Sequence, residues 1–168
     1  MKPTMMQAEP VRVLFVCLGN ICRSPMAEAV FRALVRDNGL EHRFEIDSAG
    51  TSDYHEGEPP DARAREVARR RGIQLTGRSR PIREDDLYRF DYVLVMDSEN
   101  LRDVSRLAVT AELRAKVRRL REFDPAANGD LDVPDPYYGG REGFERVQEM
   151  LERACRGLLD HIHTDRGL

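Results

Sequence analysis

Short runs of consecutive apolar residues alternate along this chain with stretches whose apolar positions recur every three or four residues. Val11 to Val16 (VRVLFV) is rich in β-branched residues and apolar at nearly every position, the pattern of a strand covered on both faces. From Pro25 the spacing changes. Met26, Ala29, Val30, Leu34 and Val35 fall on one helical stripe, and Gly39 stands where a helix C-terminus is capped. Phe44 to Ser48 (FEIDS) predicts a second strand, ended by Ala49-Gly50. Helical spacing resumes near Pro60-Asp61 and stops at Gly72. Tyr92 to Met96 (YVLVM) predicts a further strand, and Ser98 to Leu107 a helix. Between Ala111 and Phe123 two readings compete, because TAELRAKV looks helical while VRRLREF suits a short strand. Gly143 to Ile162 predicts the longest amphipathic helix, with Phe144, Val147, Met150, Leu151, Cys155, Leu158 and Leu159 turned inward. Strands separated by helices imply βαβ units, hence an α/β fold whose parallel sheet is covered on both faces. No repeat, low-complexity segment or linker interrupts the pattern, so residues 11–168 read as a single domain. Residues 1–10 (MKPTMMQAEP) read as a flexible N-terminal tail.

Composition narrows the partners. The 168 residues suffice for a proper core, and a net charge of -3 gives no electrostatic footprint for nucleic acid or an anionic membrane. The opening ten residues lack the apolar stretch of a signal peptide, and the run Val13 to Leu18 is far too short to cross a bilayer, so no membrane insertion is expected. An odd count of 3 cysteines argues against a disulfide framework and for a reducing compartment, so a cytoplasmic location is expected. The 4 histidines have no metal-ligand spacing, so neither a metal nor a cofactor is expected. The arginines at 63, 65 and 69–71 read as a solvated helix face.

Two of the three cysteines stand together in VCLGNICRSP, directly after the most apolar strand. In an open α/β sheet, ligands collect beyond the carboxyl ends of the strands. A loop that leaves a buried strand and enters a helix through Pro25 offers backbone N–H groups and a helix N-terminus to an anion. It is not a nucleotide-binding loop, because GxxxxGK[ST] is absent. It carries Cys17 and, six positions on, Arg23. Loop amides, a helix N-terminus and a neighbouring guanidinium favour the thiolate of Cys17, the nucleophilic form. The planar fork of Arg23 suits two phosphate oxygens. Gly19 allows close backbone approach, Asn20 tolerates the left-handed conformation, and Ser24 places a hydroxyl near the sulfur. Leu18, Ile21 and Cys22 complete the loop.

VLFVCLGNICRSPMAEAVFR resembles the signature of the low-molecular-weight protein tyrosine phosphatases. The similarity continues in order through DSAGTSDY, FDYVLVMDSENLRD and DPYYGG, leaving only the N-terminal tail outside it. It implies a four-stranded parallel sheet flanked by helices, a flavodoxin-like three-layer αβα arrangement, with VRRLREF as the fourth strand. It also implies cleavage of phosphotyrosine in proteins or peptides through a cysteinyl-phosphate intermediate, with phosphate as product and inhibitor. A phosphate ester needs its leaving oxygen protonated. On its own VPDPYYGG is a turn signal, but the resemblance aligns Asp135 with the family's general acid, whereas the nearby Asp132 lacks the proline bracket. By the same resemblance Ser48 supports the loop through Asn20, and Tyr54 and Tyr137 flank the substrate ring. The chain departs from many relatives at Gly77, where they carry histidine.

Three other activities fit parts of this pattern. Phosphoarginine phosphatases share the loop but resemble CTGNTCRS, with threonine where Ile21 stands. Arsenate reductases of the same fold need a further pair of cysteines, and here only Cys155 remains, at an apolar position of the last helix. A non-catalytic binder of phosphorylated residues is opposed by the joint presence of Cys17, Arg23 and Asp135. Cys22, in the same loop, is placed to trap oxidised Cys17 as a disulfide.

Overall fold

The computed structural model describes residues 9–168, so most of the expected N-terminal tail lies outside the described residues. Four strands, β1 (Val11–Cys17), β2 (Phe44–Gly50), β3 (Tyr92–Val95) and β4 (Val117–Arg119), form one sheet of order β2-β1-β3-β4. All three strand pairs are parallel. The intervening helices are α1 (Arg23–Asp37), α2 (Ala62–Arg70), α3 (Glu84–Arg89), α4 (Ser98–Ser105), α5 (Ala111–Ala115) and α6 (Arg141–Arg166).

The uninterrupted apolar runs follow from this layering. Alternate residues of a strand face opposite sides, and here both sides are covered. Val11, Val13, Phe15 and Cys17 of β1 join one core with Met26 and Phe31 of α1, Val67 of α2 and Phe144, Leu151 and Leu158 of α6. Leu14 and Val16 join a second core with Leu87 of α3, Val104 of α4 and Leu113 of α5. Strand β3 divides in the same way, with Leu94 on the first side and Val93 and Val95 on the second.

Most expected elements are present, with shifted boundaries. Helix α1 starts two residues before Pro25, and Ala49-Gly50 extend β2 instead of ending it. The expected fourth strand is only its first part. After Arg119 the chain tightens into a 3-10 turn, Leu120–Phe123, whose start Glu122 holds by accepting from the Arg119 backbone N–H at 3.0 Å. Helix α3 has no counterpart in the sequence reading. Its six residues are too few for a visible period, and Asp86 holds its start by accepting from the Arg83 backbone N–H at 2.8 Å. Met150 is only partly covered, while the other expected inward residues of α6 are buried.

Candidate active site

The strand order reverses direction between β1 and β3, the switch point at which α/β sheets open a crevice. Cys17 ends β1, Asp97 follows β3, and both sit at that point. Residues 18–22 turn the chain from β1 into α1, with Asn20 at φ 56°, in the left-handed region the sequence reading assigned to it.

The sulfur of Cys17 is buried and lies 3.0 Å from Ser24 Oγ. The backbone N–H of Asn20 donates to it at 3.3 Å. The Asn20 side chain ties the loop together. Its Nδ2 donates to Ser24 Oγ at 2.8 Å and to Ser48 Oγ at 3.0 Å, and its Oδ1 accepts from the Arg80 backbone N–H at 3.0 Å. Ser48 Oγ in turn donates to Glu28 Oε1 at 2.7 Å, and Ser79 Oγ donates to the Gly19 carbonyl at 2.9 Å. Ser48 thus meets the loop through the Asn20 side chain. Gly77 lies at φ 91°, a conformation that disfavours a histidine, and Arg80, Ser79 and Glu28 supply the loop's support around it.

Arg23 leaves only 2% of its surface exposed. Its Nη1 donates to Asp97 Oδ2 at 2.7 Å and to the Val133 carbonyl at 2.9 Å, and its Nη2 lies 3.7 Å from Asp135 Oδ2. Burial works against the guanidinium charge, but the facing Cys17, Asp97 and Asp135 more than offset it and raise the Arg23 pKa. The cation is therefore permanent and its fork is oriented. Asp135 occupies the segment between Val133 and α6, where Oδ1 accepts from the Tyr137 backbone N–H at 3.0 Å.

One cavity of about 260 Å³ is lined by Cys17, Leu18, Gly19, Ile21, Cys22, Arg23, Tyr54, Asp135 and Tyr137, together with Ser52, His55 and Tyr138. Every loop and wall residue singled out in the sequence lines it except Asn20, Ser24 and Ser48, whose side chains bond to one another and hold the loop. Burial pushes the Cys22 thiol up, with Asp61 and Cys17 adding to the effect, so Cys22 is a neutral thiol beside the site. Cys155 is fully buried in α6 and also pushed up by burial.

Besides Ser52 and Tyr138 of the lining, Asp97, His55 and Arg63 were given no site role from the sequence. Asp97 caps α4 by accepting from the Asn100 N–H at 2.8 Å, and its other oxygen orients Arg23. An aspartate between a strand and a helix, in VMDSEN, signals the cap but not the second role. His55 packs between Tyr54 and Tyr137, with ring centroids 4.8 and 6.0 Å away, which no spacing rule for metals detects. The arginine run is not a simple solvated face. Arg70 and Arg71 pair with Glu145 and Glu152 of α6, and Arg63 lies over the Tyr137 ring at 5.4 Å. A one-helix reading misses them because their partners are 74 or more positions away.

The comparisons agree with this geometry. The family described as "Low molecular weight phosphotyrosine protein phosphatase" matches residues 12–167. A low molecular weight protein-tyrosine-phosphatase of Streptomyces coelicolor is 56% identical over 149 residues, 88% of this chain and 91% of the relative. The human low molecular weight phosphotyrosine protein phosphatase is 45% identical over 152 residues, 90% of this chain and 95% of the relative. A crystal structure of a protein tyrosine phosphatase from Entamoeba histolytica, with Hepes in its active site, superposes with a TM-score of 0.87 at 41% identity, covering 94% of this chain and 98% of that one. The chain belongs to the low molecular weight phosphotyrosine protein phosphatase family.

Proposed function

We propose that the protein hydrolyses phosphotyrosine in proteins or peptides, and simple aryl phosphates, through a phosphorylated Cys17. The observation that carries this reading is the convergence of a buried sulfur, a buried oriented guanidinium and a carboxylate on one cavity with aromatic walls. The Cys17 thiolate attacks phosphorus and forms the S–P bond as the P–O bond to the phenol breaks. Arg23 and the loop N–H groups stabilise the charge on the transferring oxygens. Asp135 gives its proton to the departing phenolic oxygen. In the second step Asp135 takes a proton from water, the water oxygen bonds to phosphorus, and the S–P bond breaks. Ser24, 3.0 Å from the sulfur, donates its hydroxyl hydrogen to the leaving thiolate. Tyr54 and Tyr137 flank the substrate ring.

Ile21 lines the cavity with an apolar side chain, which favours an aryl ester over phosphoarginine. Cys155 lies in the core, hydrogen-bonded at most to the Ala27 carbonyl at 3.8 Å, and is no relay thiol of the arsenate reductase kind. Among the described residues no helix is long and apolar enough to cross a membrane. Three free cysteines suit a reducing compartment, which supports a cytoplasmic location for the enzyme and its phosphoprotein substrates. The test is release of phosphate from p-nitrophenyl phosphate and a phosphotyrosine peptide in the presence of EDTA. Both are expected to turn over, a phosphoserine peptide is not, and Cys17→Ser abolishes turnover while retaining phosphate binding. Activity surviving in Cys17→Ser overturns the reading.

A further inference from the structure

Asp135 stands on a segment with no regular secondary structure between Val133 and α6, yet a general acid must be held within a fraction of an ångström. The near end of that segment is fixed from the sheet: the Val133 N–H donates to the Met96 carbonyl at 2.7 Å, and the Val133 carbonyl accepts from Arg23. Past Asp135 the local bonds are short-range, such as the Gly139 N–H to the Pro136 carbonyl at 3.0 Å. Beside the His55 ring that packs on Tyr137, Arg63 supplies a polar hold from outside the segment. Its Nη1 donates to the Gly139 carbonyl at 3.2 Å, and its guanidinium carbon lies 5.4 Å from the Tyr137 ring centroid and 4.6 Å from that of Phe144.

Arg63 is itself anchored. Asp61 accepts from its Nε at 3.1 Å and from its Nη2 at 3.0 Å, a two-bond clasp of the kind that fixes a guanidinium plane. The Asp61 backbone N–H donates to the Ile21 carbonyl at 2.8 Å, within the loop that follows Cys17. Asp61 also caps α2 by accepting from the Arg63 backbone N–H at 2.8 Å. A continuous path of bonds therefore runs from the nucleophile's loop, through Asp61 and Arg63, to the far side of the acid's segment. Burial opposes ionisation of Asp61, but its bonds to Arg63 prevail and lower its pKa, so the clasp stays charged at neutral pH.

We propose that Arg63, held by Asp61, is a positioning residue that sets the distance of the Asp135 segment from the Cys17 loop. It touches neither the sulfur nor the acid, and it acts on the protonation of the leaving group through Tyr137 and Gly139. This inference rests on the assignment of Asp135 as the general acid.

The experiment compares wild type, Arg63→Ala, Asp135→Ala and the double variant on phenyl phosphate, a poor leaving group, and 2,4-dinitrophenyl phosphate, a good one. Inhibition by inorganic phosphate reports whether the Cys17 loop is intact. Arg63→Ala is expected to lower kcat/KM about tenfold for phenyl phosphate, as a small misplacement of a catalytic group does. Its effect on the dinitrophenyl ester is expected to be much smaller, with phosphate inhibition unchanged. In the Asp135→Ala background the same substitution is expected to cost nothing further, because its effect passes through that carboxyl. Equal losses on both esters, weakened phosphate inhibition, or losses that multiply in the double variant overturn the proposal. If Asp135→Ala itself shows no dependence on the leaving group, the acid assignment fails and the proposal falls with it. If Asp135→Ala shows that dependence and Arg63→Ala does not, only the proposal fails.

Discussion

Replacing Asp97 separates two functions that one carboxylate performs. One oxygen caps α4 and the other accepts from Arg23 at 2.7 Å. Asp97→Asn keeps an oxygen for the cap, since asparagine caps as well as aspartate, but removes the charge facing the guanidinium. Asp97→Ala removes both. A hydrogen bond to a charged group contributes about 1.5–3 kcal/mol, and Arg23 is so deeply buried that water does not substitute for the lost partner. The Val133 carbonyl still accepts from the same Nη1 at 2.9 Å, so the guanidinium is loosened and not released. If the whole loss falls on the transition state, kcat/KM drops by roughly 10- to 100-fold, at about 1.4 kcal/mol per decade. The cap adds about 1 kcal/mol of stability, or roughly 2–4 °C in Tm for a domain of this size. The assay is steady-state hydrolysis of phenyl phosphate beside thermal denaturation for both variants. The expected outcome is a similar kinetic loss in both, a lowered Tm in both from the lost partner of buried Arg23, and a further decrease of that size in Asp97→Ala alone. Asp97→Asn with kcat/KM close to wild type would refute the orienting role.

Gly157 packs α6 directly on the Leu120–Phe123 turn, and an added Cβ would stand 1.8 Å from the Phe123 carbonyl oxygen. Gly157→Ala is therefore expected to cost about 3 kcal/mol or more, a Tm decrease of roughly 6–12 °C by calorimetry. Asp124 is fully buried between Arg121 and Arg153; burial alone would raise its pKa, but the Ala126 N–H and the two arginines reverse the sign and lower it. Its contribution is present above the unfolded-state value of about 4 and fades as pH falls through the lower folded-state value, so urea titrations of Asp124→Asn should show about 3 kcal/mol lost at pH 7 and convergence with wild type in acid. Cys22→Ser is expected to leave turnover nearly unchanged but to prevent recovery by dithiothreitol after peroxide treatment, whereas the wild type recovers; equal recovery in both shows that no protective disulfide forms.

The order of elements was readable because the two central strands, β1 and β3, are covered on both faces and so appear as nearly continuous apolar runs, Val11 to Val16 and Tyr92 to Val95. The nucleophile's loop was readable because its chemistry is local: sulfur, glycine, asparagine, arginine and serine lie within eight residues. Asp135 needed the family resemblance, since an aspartate between prolines carries no mark of its distance from Arg23, 112 positions earlier in the chain. Asp97 and Arg63 escaped for the same reason. Their roles exist only once β3 and α2 pack beside β1, and their local context explains them fully as a cap and a helix-surface cation. The end of the fourth strand was misread because the resemblance assigned the whole of VRRLREF to it, whereas its apolar residues, Val117, Leu120 and Phe123, recur every three positions, the spacing of a 3-10 turn and not of a strand.

The central claim is that a phosphoryl group passes through the sulfur of Cys17. It is tested most directly by quenching the enzyme in denaturant during turnover of an aryl phosphate and mapping the modified residue by mass spectrometry at neutral pH. The expected result is one phosphoryl group per chain on Cys17, increased when Asp135→Ala slows its hydrolysis and missing in Cys17→Ser. Sustained turnover with no phosphoryl group on Cys17, or with the group on another residue, contradicts the account.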